Sequence, residues 1–291
     1  ADAKRGRMSE SGSEREVRRR RVFYIPGYDP VPPRRYRELY RKESAEQAKL
    51  SGYEIDLMPK PDGDLFGWNV RGQIEEAEVD ATIEVLVWSD IVRGSMSGSV
   101  FATYWQMLQT VWVYVMSGAL RRMMWLRKGP VLAALYPPIL LCLQALVAIF
   151  IGVLVFKAGA GFLPAIIATA AAIGAAFLVL HMFRAQDGKF FVYYLMHDFA
   201  FSAQSNGATP PMLQTRLDQF ADTIAKALDD DVDEVLVVGH SSGAQGRADL
   251  CKPHCRAGAD HPWGAGRCDH SGGIVAERLP PSRRRIGLLP T

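Results

Sequence analysis

Asp233-Glu-Val-Leu-Val-Val-Gly-His-Ser-Ser-Gly-Ala244 is the stretch on which the reading of this chain turns. Residues 234–238 form a short, β-branched apolar run without two-residue alternation, the pattern of a strand buried on both faces of a parallel sheet. Gly239-His-Ser-Ser-Gly243 then interrupts it. A glycine two residues to either side of Ser241 leaves room for a sharp strand-to-helix turn that lifts the serine hydroxyl clear of the sheet, where a Cβ at either place would meet backbone. Upstream, residues 216–228 carry apolar side chains at helical spacing. Helix, strand and tight turn in that order predict an α/β domain with a mainly parallel sheet.

The order of these elements and the G-x-S-x-G spacing resemble the nucleophile elbow of the α/β-hydrolase superfamily, which holds serine esterases and lipases, over about thirty residues. The resemblance implies that Ser241 is the nucleophile, that Gly239 and Gly243 are the glycines of the elbow, and that the N–H of Ser242 faces a developing oxyanion. It also implies a second oxyanion N–H from a glycine-containing loop after an early strand. Residues 22–25 read as that strand, and Pro26-Gly-Tyr-Asp-Pro30 follows it directly. Gly27-Tyr28 therefore takes the place of the loop, with Tyr28 as donor, although the commoner His-Gly form is absent. A base and an acid are implied downstream of Ser241. His254, His261 and His270 are available as base and Asp249, Asp260 and Asp269 as acid, and His270 with Asp260 is the pair we assign. This chemistry needs no cofactor and no metal.

Composition narrows the classes. With 291 residues and 48% hydrophobic content, the chain can bury one full domain and something more. A net charge of +3, with the basic residues clustered rather than interleaved with aromatics, excludes nucleic acid as the expected partner. Cys142 lies in an apolar run and Cys251, Cys255 and Cys268 crowd the tail, which is no secreted disulfide framework. Residues 1–21 are polar and basic without the apolar core of a signal peptide, and are expected to be a disordered arm. Residues 34–50 read as an amphipathic helix and 53–58 as an alternating strand, giving a β-α-β opening. Residues 81–88 and 189–196 read as further strands. Asp90, after the first of these, reads as a helix cap or loop carboxylate, and His197-Asp198, after the second, precede Ser241 and point apart on a strand.

The apolar residues concentrate in the middle. Residues 131–156 are interrupted only by Pro137-Pro138 and Gln144, and residues 162–183 form a second, alanine-rich run. Each is long enough to cross a hydrocarbon core of ~30 Å, which takes about 20 residues. The short link at 157–161 predicts a transmembrane helical hairpin, with Gly152, Gly159, Gly161, Gly174 and the alanines allowing close helix contact. Arg121, Arg122, Arg127 and Lys128 precede it and Arg184 and Lys189 follow it, so the positive-inside rule places both ends in the cytoplasm at the inner membrane. Pro137-Pro138 is expected to kink or delay the first helix. Residues 101–125, rich in tryptophan, tyrosine and methionine, read as an amphipathic helix approaching the membrane surface.

The expected organisation is thus a basic arm (1–21), an α/β-hydrolase-like domain in two parts (22–129 and 184–245), an inserted two-helix transmembrane hairpin (130–183) and an irregular tail (246–291). The partners implied are the lipid bilayer and a lipidic or ester substrate. Beyond Gln245 the periodicity is lost and glycine, proline, arginine and cysteine dominate, with no strand of useful length expected. That abrupt change fits a shifted reading frame or a truncated gene. Cys251, His254, Cys255, Cys268 and His270 are zinc-ligand types, but their spacing matches no ordinary pattern and no metal is expected. The alternative to an enzyme is an inactive hydrolase-like membrane protein serving as a scaffold.

Overall fold

The computed structural model describes residues 17–61, 63–74, 77–96, 98–125, 128–204, 208–244, 267–268 and 273–277. In chain order these form β1 (Arg19–Ile25), α1 (Arg34–Ser51), β2 (Glu54–Pro59), β3 (Gly67–Ile74), β4 (Ala77–Val85), α2 (Ser89–Ser95), α3 (Val100–Met116), α4 (Ala119–Met124), α5 (Lys128–Gly159), α6 (Ala165–Ala185), α7 (Asp187–Phe190), α8 (Val192–Ala203), α9 (Pro211–Leu228), β5 (Glu234–Gly239), β6 (Arg267–Cys268) and β7 (Gly273–Glu277). They divide into two compact units, one of Ala1–Ser89 with Thr215–Thr291 and one of Asp90–Gln214.

The first unit is built on a seven-stranded mixed sheet in the order β2-β3-β4-β1-β5-β7-β6. β1 pairs in parallel with β4 on one side and with β5 on the other. β2, β3 and β4 form an antiparallel meander. One face of the sheet carries Trp68, Val70, Ile83 and Val85, over which Tyr36 and Tyr40 of α1 pack together with Val22 and Tyr24 of β1. The Tyr40 and Trp68 rings lie 5.5 Å apart. Phe23, Val235 and Val237, on alternate positions of β1 and β5, are buried as well.

The start of β1 is an ionic cluster rather than a free arm. Arg20 pairs with Glu234, and Arg21 pairs with Asp230 and, at 2.8 Å, with Glu84. Glu84 is 1% exposed and is also paired with Lys60. Burial pushes its carboxyl upward, but the hydrogen bonds and charges of Arg21 and Lys60 together outweigh that, and the group is held below the usual carboxylate range. Asp233 accepts the backbone N–H groups of Arg18 and Arg19. The expected disordered arm is therefore corrected at its end: Arg19 to Arg21 belong to β1, because acids from distant segments neutralise them there. Residues 1–16 lie outside the described residues.

The second unit is helical. α5 and α6 are long and apolar enough to cross a membrane, and only 22% and 6% of their most apolar windows are buried, unlike core helices of a soluble domain. They pack closely where Gly152 faces Ala172: a Cβ at Gly152 would lie 3.1 Å from the Ala172 carbonyl oxygen. The Cβ position of Gly159 is in ordinary contact with Leu163 and Ala168, at 3.4 and 3.5 Å, while Gly161 and Gly174 face open space. α5 begins before Pro137-Pro138 and runs through them, so the expected delay of the first helix is not seen.

The strand expected at 189–196 is a helix. Asp187 accepts the backbone N–H groups of Tyr193 and Tyr194 at 2.8 and 3.0 Å, satisfying donors of the first turn of α8. Val192, Tyr193, Met196, His197, Ala200 and Phe201 are buried at helical intervals. The tail is corrected too, since β7 supplies five residues that pair antiparallel with β5, and β6 pairs with β7.

Candidate active site

β5 ends at Gly239, and the chain turns at His240 and Ser241 into a helical turn at residues 242–244. Ser241 has φ 53°, in the left-handed region that costs an L-residue about 1–2 kcal/mol. Phe191 is the other described non-glycine residue with positive φ. The N–H of His240 donates to the Ile25 carbonyl at 3.1 Å, and the N–H groups of Gly243 and Ala244 donate to His240 and Ser241 at 2.9 Å each. Both flanking glycines are sterically required. A Cβ on Gly239 would come 2.5 Å from the Gly243 carbonyl oxygen, and one on Gly243 would come 2.4 Å from the carbonyl oxygens of both Ile25 and Pro26. The turn is therefore wedged against the end of β1, and the Ser241 side chain is exposed above it.

The loop after β1 lies beside that serine. The Cβ position of Gly27 is 3.1 Å from the His240 carbonyl oxygen, 3.1 Å from Ser241 Cβ and 3.6 Å from Ser241 Oγ. Two devices hold the loop. Trp88 Nε1 donates to the Pro26 carbonyl at 2.9 Å, and the Trp88 ring stands edge-on to Tyr28, with centroids 6.3 Å apart. Asp29 accepts the Val31 N–H and the Tyr36 hydroxyl, at 3.1 Å each, which ties the loop to α1. Tyr28 is buried at 2% exposure, so its backbone is fixed beside the turn. A serine on a strained, exposed turn with a clamped backbone loop alongside is a geometry that can seat a carbonyl carbon at the hydroxyl and its oxygen among N–H groups.

Ser241, Ser242, Gly239 and Gly243 thus occupy one turn, with Gly27-Tyr28 against it. His270 and Asp260, and likewise His254, His261, Asp249 and Asp269, lie outside the described residues, as do Cys251 and Cys255. Among the described residues no histidine or carboxylate hydrogen-bonds Ser241 Oγ. Asp90 stands in the first turn of α2, and His197 and Asp198 stand on α8 in the helical unit. The partner of His197 is an amide: its Nδ1 lies 2.8 Å from Gln106 Oε1. Burial and then the Arg184 charge lower its pKa, against a smaller opposing effect of Asp187.

Sequence reasoning missed Trp88 and Asp29 as the parts that hold the loop. A tryptophan just past a strand end and an Asp-Pro pair beside Gly27 were the available signals. It also missed β7, whose first residue, Gly273, pairs with Val238 at the elbow end of β5. Comparison with protein-family models, with curated proteins and with solved structures finds no match to this chain.

Proposed function

We propose that the protein is a membrane-anchored serine hydrolase that transfers the acyl group of an ester to water, with α5 and α6 as a transmembrane hairpin and the sheet domain as an α/β-hydrolase-like unit in the cytoplasm. The observation that carries the reading is Ser241 itself, held at φ 53° on an exposed strand-to-helix turn with Gly27 against it. Strain of this kind is retained where the surrounding structure enforces it, and it gathers at catalytic turns. Ser241 Oγ attacks the ester carbonyl and gives its proton to a base. The N–H groups of Ser242 and Tyr28 receive the oxyanion. The proton passes to the departing alcohol, and water then releases the acid from the acyl-enzyme by the same route.

The order around β1 supports this assignment. β1 and β5 are parallel neighbours whose C-terminal ends meet, at Ile25 and Gly239, so the loop and the elbow emerge together. The antiparallel course of β7 brings the chain into the sheet at that same end, beside Val238. On this reading His270, the histidine assigned from the sequence, is the base. The second reading is an inactive hydrolase-like scaffold, in which Ser241 has no working base.

Labelling of the detergent-solubilised full chain with a fluorophosphonate probe separates the two. An active site labels in the parent, fails to label in Ser241→Ala, and labels at least 100-fold more slowly in His270→Ala, in line with the loss of a general base. A parent chain that does not label overturns the enzymatic reading. Labelling that survives Ser241→Ala overturns the assignment of the nucleophile.

A further inference from the structure

One indole grips the loop beside Ser241 on both sides of Gly27. Trp88 is 4% exposed, its Nε1 donates to the Pro26 carbonyl at 2.9 Å, and its ring stands edge-on to Tyr28. The backbone leading to the indole is itself tied down. The Leu86 N–H donates to the Tyr24 carbonyl of β1 at 2.9 Å, and the Val87 carbonyl accepts the Arg216 guanidinium of α9 at 2.8 Å. Trp88 therefore stands on a fixed base rather than on a loose strand end.

Gly27 is what makes this grip consequential. A peptide plate next to a glycine can turn over at little cost, because glycine accepts positive φ as readily as negative. The plate joining Pro26 to Gly27 is planar and trans, so its carbonyl and the Gly27 N–H point in opposite directions. The Pro26 oxygen lies against the elbow, 2.4 Å from where a Gly243 Cβ would stand, and accepts the indole N–H from Trp88. Turned over, the plate would exchange that acceptor for a donor facing a buried donor, a mismatch that disfavours the turned form by about 5- to 140-fold. The next plate, from Gly27 to Tyr28, starts beside the nucleophile, since the Gly27 Cβ position is 3.6 Å from Ser241 Oγ. Its far end is held by the buried Tyr28 side chain against the same indole.

We propose that Trp88 is a positioning residue of the oxyanion site. It keeps the two plates on either side of Gly27 in the one orientation that presents the Tyr28 N–H to the carbonyl oxygen of a substrate seated at Ser241. This inference rests on the reading of Ser241 as nucleophile. Trp88 acts through the loop, so its loss weakens the stabilisation of developing charge and leaves the nucleophile and its base as they are.

The test compares an aryl ester with its thionoester, in which sulfur replaces the carbonyl oxygen, on the detergent-solubilised full chain. Sulfur is a weak hydrogen-bond acceptor, so the thionoester draws little from the oxyanion donors. Trp88→Phe is expected to lower kcat/KM for the ester about 10- to 100-fold, less than the outright loss of a donor, and to change that of the thionoester by no more than about threefold. The midpoint of the pH profile stays in place, because the base is untouched. Trp88→His, whose Nε2–H can stand where the indole N–H stood, recovers most of the ratio between the two substrates. A chain with 3-benzothienylalanine at position 88, which keeps the shape of the indole without its N–H, loses the ratio as Trp88→Phe does and takes over the test where that variant does not fold. A ratio unchanged in these variants, or an equal loss on both substrates, overturns the role of Trp88 while hydrolysis through Ser241 stands. A parent chain inert towards the ester, or hydrolysis that survives Ser241→Ala, overturns the proposal together with the reading of Ser241.

Discussion

Ser241→Gly is expected to stabilise the protein relative to Ser241→Ala, and the adjacent position is expected to show the opposite order. At φ 53° a Cβ costs about 1–2 kcal/mol that glycine does not incur. Against this, glycine adds about 0.4–1 kcal/mol of unfolded-chain entropy relative to alanine. The balance leaves the glycine variant ahead by about 0.5–1 kcal/mol. Ser242 begins the helical turn, where glycine is worse than alanine by about 0.8–1 kcal/mol. Each pair of variants removes the same hydroxyl, so any hydrogen bond of the serine side chain is lost from both members of the pair and cancels. The assay is denaturant unfolding of the detergent-solubilised full chain, with all four variants on one m-value. Alanine at least as stable as glycine at position 241 would refute the left-handed turn. With it would fall the geometric ground for a nucleophile at this place.

Three further outcomes are expected. Glu84→Gln flattens the acid limb of the stability profile: the folded-state carboxyl titrates below its unfolded value of about 4.3, so its contribution is complete above that pH and is lost as pH falls through the folded value. A profile from pH 7 down to about 3 that is unchanged by the substitution would remove Glu84 from the ionic cluster. Gly152→Leu loosens the hairpin by about 1–3 kcal/mol because its Cβ lies 3.1 Å from a backbone oxygen, whereas Gly174→Leu, into open space, stays within about 0.5 kcal/mol; thermal unfolding of the two variants compares them. Asp187→Ala removes the acceptor of the Tyr193 and Tyr194 amides, costs about 1 kcal/mol and speeds their hydrogen exchange about fivefold, as read by mass spectrometry of peptides covering α8.

What was legible in the sequence was what depends on near neighbours. The strand-to-helix turn at Ser241 shows itself because glycine spacing and an apolar run are local signals, and the two long apolar helices because an uninterrupted apolar run is itself a local signal. α1 and α9 were legible from their periodicity, and their observed bounds lie within a few residues of those expected. What was misread depends on distant partners. The arginines at the start of β1 look solvated until Glu84, Asp230 and Glu234 are brought beside them. β3 has only Trp68, Val70 and Ile74 among glycines and polar residues, and it owes its state to pairing on both edges. Residues 189–196 have the aromatic and β-branched composition of a strand, yet the helical interval becomes visible only when the window reaches Phe201, and the Asp187 cap decides the matter. Of the candidate site, the turn and its glycines were readable, whereas the clamp by Trp88 and Asp29 required the fold.

The position of β1 between β4 and β5 has a consequence for how the protein is made. β4 leaves the ribosome soon after β1, but β5 emerges only after about 150 further residues, on the order of ten seconds of synthesis. Throughout that interval one edge of β1 has no partner, and an unpaired strand edge is a template for association with other chains. The vacancy is filled only after both long apolar helices have been translated. On the proposed topology, a delay in delivering those helices to the bilayer therefore prolongs the sticky stage of the soluble part, and the yield of folded sheet is governed by the speed of membrane insertion.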